Sequence, residues 1–172
     1  MSLLEDLCEG RPEVLKGAVI DSTGQYRYSL WRIWDVERPK VTFIMLNGST
    51  ADADNDDPTL RRCIGFAKAW GFGSLEVVNL FGYRTTFPTE LKKAADPCGP
   101  ENDKYILKAI KDAEMVIVAW GTNGTFKKQD KHVLGLLKGN YVEPYYIDKS
   151  KDGIPKHPLY LRADLQPKKL AI

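Results

Sequence analysis

Apolar and polar residues are sharply separated along this chain, and the clearest boundary lies at Asn47. The segment VTFIML at residues 41–46 is apolar except for Thr42, and the segment NGSTADADNDD that follows is polar or small. A nearly unbroken apolar run of this length is typical of a strand buried on both faces of a parallel sheet. The polar segment therefore predicts a loop at the carboxyl end of that strand, where open α/β sheets bind their ligands.

The same pattern predicts strands that alternate with helices along the rest of the chain. A hairpin is expected over residues 17–34, with its turn at residues 22–25. A helix is expected from Pro58, because Asp57 is a favoured N-cap and proline is favoured in the first turn. Further strands are predicted at residues 75–80, 115–119 and 144–147, with helices after Pro100 and over 133–137. The expected fold is a three-layer α/β/α sandwich with a central, mainly parallel four-stranded sheet, plus the N-terminal β-hairpin.

Composition limits the number of domains and the kind of binding surface that the chain can form. The chain has 172 residues, of which 43% are hydrophobic, so residues 1–172 are expected to bury one core and form a single domain. The 25 Lys and Arg residues nearly balance the 23 Asp and Glu residues. A nucleic-acid surface would therefore have to be a local patch and not a field of the whole molecule.

The cysteines and the N-terminus indicate where the protein works. Cys8, Cys63 and Cys98 are far apart and only two histidines accompany them, which argues against a zinc site, an iron–sulfur cluster and a disulfide framework. No cofactor is expected, and a reducing cytoplasmic compartment fits best. The start MSLLEDLCEG lacks the features of a signal peptide, and no run approaches the roughly 18 apolar residues of a membrane span. No association with a membrane is expected.

Polar residues gather where each predicted parallel strand ends. Asn47, Asn79 and the pair Trp120–Gly121 follow or end three of these strands, and Lys156–Pro158 comes after the last. Because the carboxyl ends of parallel strands meet at one edge of a sheet, the four segments are expected to converge on one crevice. Asn and Gly are also ordinary turn residues, so the prediction depends on the four occurring together, one of them with a histidine.

Several motifs resemble an uncharacterised domain-of-unknown-function family of bacteria and phages. The motifs are LNGSTAD at residues 46–52, DPT at 57–59, RC at 62–63, WG at 120–121 and HPLYL at 157–161. The hallmark of that family is LNPSTAD followed by DPT, and the resemblance covers nearly the whole chain. It implies no particular activity.

The order of the strand-end motifs is also similar, more distantly, to the uracil-DNA glycosylase superfamily. Its members carry an Asp or Asn after the first strand, then a strand ending in Asn, then a strand ending in WG, and finally an HPSP motif. This resemblance implies that Asn47 holds the attacking water and that Asn79 reads the edge of a flipped-out base. It also implies that His157 steadies the negative charge on the leaving base, while Leu159 or Tyr160 wedges into the duplex.

The chemistry of base excision suggests further candidates. Cleaving an N-glycosidic bond builds positive charge on the sugar and negative charge on the base, so a carboxylate or dipole near the sugar is needed, and Asp52 is the candidate. A base must leave the duplex to be reached and is then stacked on an aromatic ring, for which Phe81 and Tyr83 are candidates. Arg62 and Arg84 could grip a phosphate. The other candidate binding residues are Ser49, Thr50, Trp120 and Gly121.

Two features depart from a glycosylase and leave three functions open. Gly48 replaces the proline of both families, which loosens the turn after Asn47. The acidic segment 52–57 resembles a metal loop, although Asp57 and Cys63 stand where an EF-hand needs Gly and Glu. The chain is therefore predicted to be a DNA glycosylase, a non-catalytic nucleotide- or nucleic-acid-binding protein with the same pocket, or a metal-dependent nucleotide-processing enzyme using the acidic segment. DNA or a nucleotide is the expected ligand, and the glycosylase itself needs no metal.

Overall fold

The computed structural model describes residues 14–172, which form one mixed sheet with helices against it. The strands are β1 (Leu15–Ile20), β2 (Arg27–Ile33), β3 (Lys40–Asn47), β4 (Ser74–Phe81), β5 (Met115–Val118), β6 (Pro144–Tyr146) and β7 (Lys168–Lys169). The helices are α1 (Pro58–Ala69), α2 (Pro88–Lys93), α3 (Asn102–Lys111) and α4 (Gln129–Gly139), and a 3₁₀ segment, Thr122–Lys128, precedes α4. Within residues 14–172, no helix has both the length and the apolarity to cross a bilayer. The segment MSLLEDLCEG, in which no signal peptide is expected, lies outside the described residues, as does its Cys8.

The sheet has seven strands in the order β1-β2-β4-β3-β5-β6-β7. The four inner strands β4, β3, β5 and β6 are parallel, which confirms the predicted α/β fold with a parallel centre. The sheet has more strands than the four predicted, because the N-terminal hairpin and β7 belong to it. The hairpin β1-β2 pairs antiparallel with β4, and β7 pairs antiparallel with β6. Without these pairings both edges of the parallel sheet would expose unpaired backbone groups.

The strand order creates a crevice at the carboxyl end of β3. The chain passes from β3 to β4 on one side of it and later returns to β5 on the other side. The segments that leave β3 and β5 therefore diverge, and such a switch point is where open α/β sheets hold ligands. The fold thus places the loop after Asn47 where the sequence predicts it.

Two apolar clusters, one on each face, bury the sheet. Side chains from α1 pack on one face together with Val41, Phe43 and Met45 of β3. Side chains from α2, α3 and α4 pack on the other face with Ile44 of β3. Because successive residues of a strand point to opposite faces, an apolar run such as residues 41–46 supplies both clusters. This is the reason that the segment contains no polar side chain except Thr42, whose hydroxyl donates to the Ala109 carbonyl at 2.8 Å.

The acidic segment is held in place by a buried arginine. Arg32 of β2 is 0% exposed. Its Nε donates to the Asp56 carboxylate at 2.9 Å, and its Nη2 donates to the Asp52 carbonyl at 2.7 Å. One residue later, Asp57 caps α1 by accepting the Leu60 N–H at 2.7 Å, which confirms the predicted start of this helix. The segment is therefore an ordered connection between β3 and α1.

We expect Asp56→Asn to lower the free energy of unfolding by about 1–3 kcal/mol, because it leaves a buried guanidinium without its counter-ion. Asp54→Asn is the matched control: Asp54 is exposed in the same loop and should change stability little. Urea denaturation of the two variants and the wild type measures the difference. Equal midpoints for all three proteins would show that the Arg32–Asp56 pair does not hold the loop.

Candidate functional site

A cavity of about 410 Å³ opens at the carboxyl end of β3. Its walls come from the loop after β3, the first turn of α1, the segment after β4 and the segment around His157. Of the predicted site residues, five line it: Asn47, Ser49, Thr50, His157 and Leu159. The volume lies within the roughly 300–1,000 Å³ of pockets that hold small ligands. The structure therefore brings the two ends of the predicted site together.

Asn47 joins the loop after β3 to the segment after β4. Its Nδ2 donates to the Gly48 carbonyl at 2.8 Å and to the Thr85 carbonyl at 2.7 Å. Its Oδ1 accepts no hydrogen bond from any described residue. The amide is thereby fixed in orientation, and its oxygen remains open to a water or a ligand donor in the cavity.

His157 presents a neutral ring with a defined donor. Its Nδ1 accepts the Leu159 N–H at 3.3 Å, so the proton of the neutral ring resides on Nε2. Burial lowers the pKa of His157 from its ordinary value, and the negative charge of Asp57 opposes this shift. The imidazole is accordingly a neutral N–H donor at physiological pH.

Asp57, and not the predicted Asp52, is the carboxylate that lines the cavity. The side chain of Asp52 turns into its own loop, where Oδ1 accepts the Asp54 N–H at 3.0 Å and the Asn55 N–H at 2.8 Å. These backbone N–H groups lower the pKa of the Asp52 carboxyl. Asp57 lines the cavity because its capping role holds it at the N-terminus of α1. In the sequence, Asp57 stands out as a helix cap and as one carboxylate of the acidic segment.

Asn79, Phe81 and Trp120 are buried and do not line the cavity, contrary to the expected common cleft. Strand alternation puts Asn79 on the same face as Val77, which lines the cavity, but Asn79 itself is 0% exposed. Phe81 packs against Phe126, and a Cβ on Gly124 would overlap the indole of Trp120. The reason is that β4 continues past Asn79 to Phe81, while Trp120, although it follows the end of β5, is packed in the core and 2% exposed.

Three other candidates make their contacts outside the lining of the cavity. Tyr83 lies edge-on to Tyr26 with a centroid distance of 6.1 Å. The guanidinium of Arg62 lies over the Phe66 ring at 5.2 Å. Arg84 donates from Nε to the Ser49 carbonyl at 3.1 Å and so braces the loop after β3. None of the three lines the cavity.

A second cavity, of about 420 Å³, shares His157 and Leu159 with the first. It is lined also by Gly121 and Tyr160, so these two predicted residues lie on the opposite side of the His157 segment. Tyr160 has a positive φ of 75° and is 93% exposed. A non-glycine residue in that conformation is uncommon and marks a constrained segment.

Sequence reasoning missed Arg27, which lines the first cavity although it is only 4% exposed. Strict alternation in β2 would put Arg27 on the same face as Ser29. Instead the ladder between β1 and β2 shifts, with Val19 opposite Ser29 and Ile20 opposite Arg27. This β-bulge inserts one residue and turns Arg27 toward the cavity. The only indication in the sequence that Arg27 lines a site is that this charged residue lies in a strand rich in apolar residues.

The acidic segment does not gather its carboxylates around a common point. Asp52 closes its own turn, Asp56 pairs with Arg32, and Asp57 caps α1. Over residues 14–172, no group of three or more His, Cys, Asp and Glu side chains is placed to hold a metal ion. The geometry thus gives the metal-dependent alternative no support.

Comparison with known proteins identifies a family but no activity. A family model described as "Protein of unknown function (DUF1643)" matches residues 27–159, which include every residue of the first cavity. No curated protein and no solved structure matches the chain. The comparisons therefore give no evidence for the more distant resemblance to the uracil-DNA glycosylase superfamily.

Asn47→Asp should lower the free energy of unfolding by about 1–3 kcal/mol, because a carboxylate oxygen would replace the donor that faces two carbonyl oxygens. Asn123→Asp, in the 3₁₀ segment after β5, is the control for the added charge. Chemical denaturation of both variants checks the expectation. If Asn47→Asp were as stable as the control, Asn47 would not anchor the two loops.

Lowering the pH should destabilise the protein through His157. Because its folded-state pKa is depressed, the unfolded chain takes up this proton first as pH falls through the ordinary value of 6.5. The contribution of neutral His157 to the free energy of unfolding is therefore complete above pH 6.5 and declines below it. Thermal unfolding at about pH 7.5 and about pH 5 should show a smaller acid-induced loss in His157→Gln than in the wild type. An equal loss in the two proteins would show that the burial of His157 is not the cause of the acid sensitivity.

Proposed function

The chain belongs to the DUF1643 family, and we propose that it is a glycosylase-like hydrolase that cleaves the N-glycosidic bond of a base in DNA. The observation that carries this proposal is the composition of the first cavity. Asn47, Asp57 and His157 line it together, although they come from three separate segments of the chain. They supply an open amide oxygen, a carboxylate and a neutral N–H donor.

These three groups match the charges that develop during the reaction. The bond between the anomeric carbon and the base nitrogen breaks, and its electron pair leaves with the base. The Nε2–H of His157 would donate to a base oxygen and stabilise that negative charge. The carboxylate of Asp57 would stabilise the positive charge on the sugar. Asn47 would accept a hydrogen bond from the attacking water, whose oxygen joins the anomeric carbon while a proton goes to the base.

The surroundings of the cavity suit a nucleic-acid substrate. In this proposal the protein is a three-layer sandwich of the glycosylase-like type, and the substrate binds at the carboxyl ends of the parallel strands. Leu159 lies at the boundary of the two cavities, and the neighbouring Tyr160 is almost fully exposed. An exposed side chain next to the pocket could fill the gap left when a base is extruded.

A nucleotide- or nucleic-acid-binding protein without turnover is the second candidate. The observation that favours it is the burial of Asn79 and Trp120, which keeps residues of two of the four strand-end segments out of the cavity. Such a protein would use the same cavity to hold its ligand. Binding without formation of abasic sites is the result that distinguishes it from an enzyme.

His157→Ala should lower the rate of base excision by about 10² or more, which is the usual loss on deleting one donor to a developing anion. Asp57→Asn should also slow excision while sparing the fold, because Asn caps helices as well as Asp does. The measurement is single-turnover formation of abasic sites on single-stranded and duplex DNA that carries uracil or other modified pyrimidines.

His132→Ala is the matched control, since His132 is exposed and paired with Asp103 on another part of the surface. It should excise at the wild-type rate. If the wild type forms no abasic sites on any substrate yet binds nucleotides or DNA, the enzyme proposal fails and the binding protein replaces it. If excision occurs but His157→Ala retains the full rate, the assignment of roles fails.

A further inference from the structure

The guanidinium of Arg27 is buried at the wall of the first cavity and is poorly satisfied by the protein. Its Nη1 donates to the Ala51 carbonyl at 3.0 Å. Its Nε is buried without a hydrogen-bond partner, and no carboxylate lies within 4 Å of the group among residues 14–172. A buried charge without a partner is costly. A bound group in the working protein should therefore compensate the buried charge of Arg27.

Arg32, on the same strand, shows how the fold satisfies a buried guanidinium when the role is structural. Arg32 pairs with Asp56 at 2.9 Å and donates to the carbonyl groups of Trp31 and Asp52. It lies away from the first cavity. Arg27 lacks such an arrangement and lines a cavity instead. The contrast indicates that the free donors of Arg27 serve a ligand.

The charge around Arg27 also favours an anion. Burial lowers the pKa of Arg27 to about 10, so the group remains charged at neutral pH. Arg84 lies beside it: a Cβ on Gly48 would stand 3.1 Å from Cγ of Arg84 and 3.2 Å from Cβ of Arg27. The negative charge of Asp57 raises the pKa of Arg27 but Asp57 forms no ion pair with it, and Asp56 is bound to Arg32. Two guanidinium groups thus remain without an ion pair among the described residues.

We propose that Arg27 binds a phosphate group of the substrate inside the first cavity. The planar fork of a guanidinium matches two phosphate oxygens, and the hydroxyl groups of Ser49 and Thr50 on the same wall offer further donors. The choice of phosphate over another anion rests on the proposed function, because a nucleotide carries both the base and the phosphate. Because Arg27 is buried, the phosphate must enter the cavity, and a nucleoside 5′-monophosphate is the smallest probe that carries both the base and a phosphate there.

The test is direct binding of three kinds of probe by isothermal titration calorimetry. The probes are nucleoside 5′-monophosphates, the corresponding nucleosides without phosphate, and single-stranded DNA oligonucleotides. Wild-type protein should bind a monophosphate at least about tenfold more tightly than its nucleoside, as expected for hydrogen bonds to a charged group. Arg27→Met should abolish this preference, while Arg27→Lys should retain part of it because it keeps the charge and loses the fork.

Arg61→Met is the control for the loss of one positive charge, since Arg61 is exposed on α1 and outside the first cavity. It should bind like the wild type. Thermal unfolding provides the second readout: without ligand Arg27→Met should be at least as stable as the wild type, because it removes an uncompensated buried charge. Stabilisation by monophosphates should be lost in this variant alone.

The binding and excision experiments distinguish failure of the phosphate site from failure of the proposed glycosylase function. If Arg27→Met binds monophosphates as tightly as the wild type, or if nucleosides bind as tightly as monophosphates, Arg27 is not a phosphate site, whatever the excision assay shows. If monophosphates bind through Arg27 but no base is released from any substrate, the phosphate site stands and the glycosylase proposal fails. Tighter binding of oligonucleotides than of monophosphates, lost in Arg27→Met, would identify the DNA backbone as the source of the phosphate.

Discussion

The burial of β3 on both faces is the constraint on which the rest of this structure depends. β3 lies at the centre of the parallel strands, with β4 and β5 beside it and apolar clusters above and below. In the middle of such a strand a polar side chain must be hydrogen-bonded, as Thr42 is, and further polar side chains follow only where the strand ends at Asn47. The polar groups that follow are therefore concentrated at one edge, where Asn47 ties its loop to Thr85. The cavity is a consequence of where this strand ends.

The segment between β3 and α1 combines structural and chemical roles in neighbouring carboxylates. Asp52 closes the turn, Asp56 neutralises Arg32, and Asp57 both caps α1 and faces the cavity. A cap residue has a fixed side-chain position, because its oxygen is bound to a backbone N–H of the helix. The carboxylate of Asp57 therefore has a fixed orientation at the cavity. This explains how an acidic segment can coexist with the proposed site, since only one of its four carboxylates lines the cavity.

Some buried polar groups of this molecule have no hydrogen-bond partner among the described residues. In the core, the Nδ2 of Asn102 donates to the carbonyl groups of Asn79 and Leu80, while its Oδ1 has no partner. The Nε of Arg27 also has none, and Arg27 lines the cavity. Since most buried polar groups in folded proteins are paired, unpaired ones close to a cavity point to the place where a ligand completes the structure.

Sequence patterns alone predicted the alternation of strands and helices, the end of β3 at Asn47 and the start of α1 at Pro58. Those features depend on local properties, namely apolar periodicity and helix capping, which neighbouring residues determine. The placing of Asn47 and His157 in one cavity also followed, because carboxyl ends of parallel strands share an edge. Tertiary structure decided the rest. Whether Asn79 and Trp120 face the cavity depends on how far β4 extends and how the chain packs after β5. The exposure of Arg27 to the cavity depends on a bulge between β1 and β2. Such features arise from pairing between distant segments, which a local pattern does not encode.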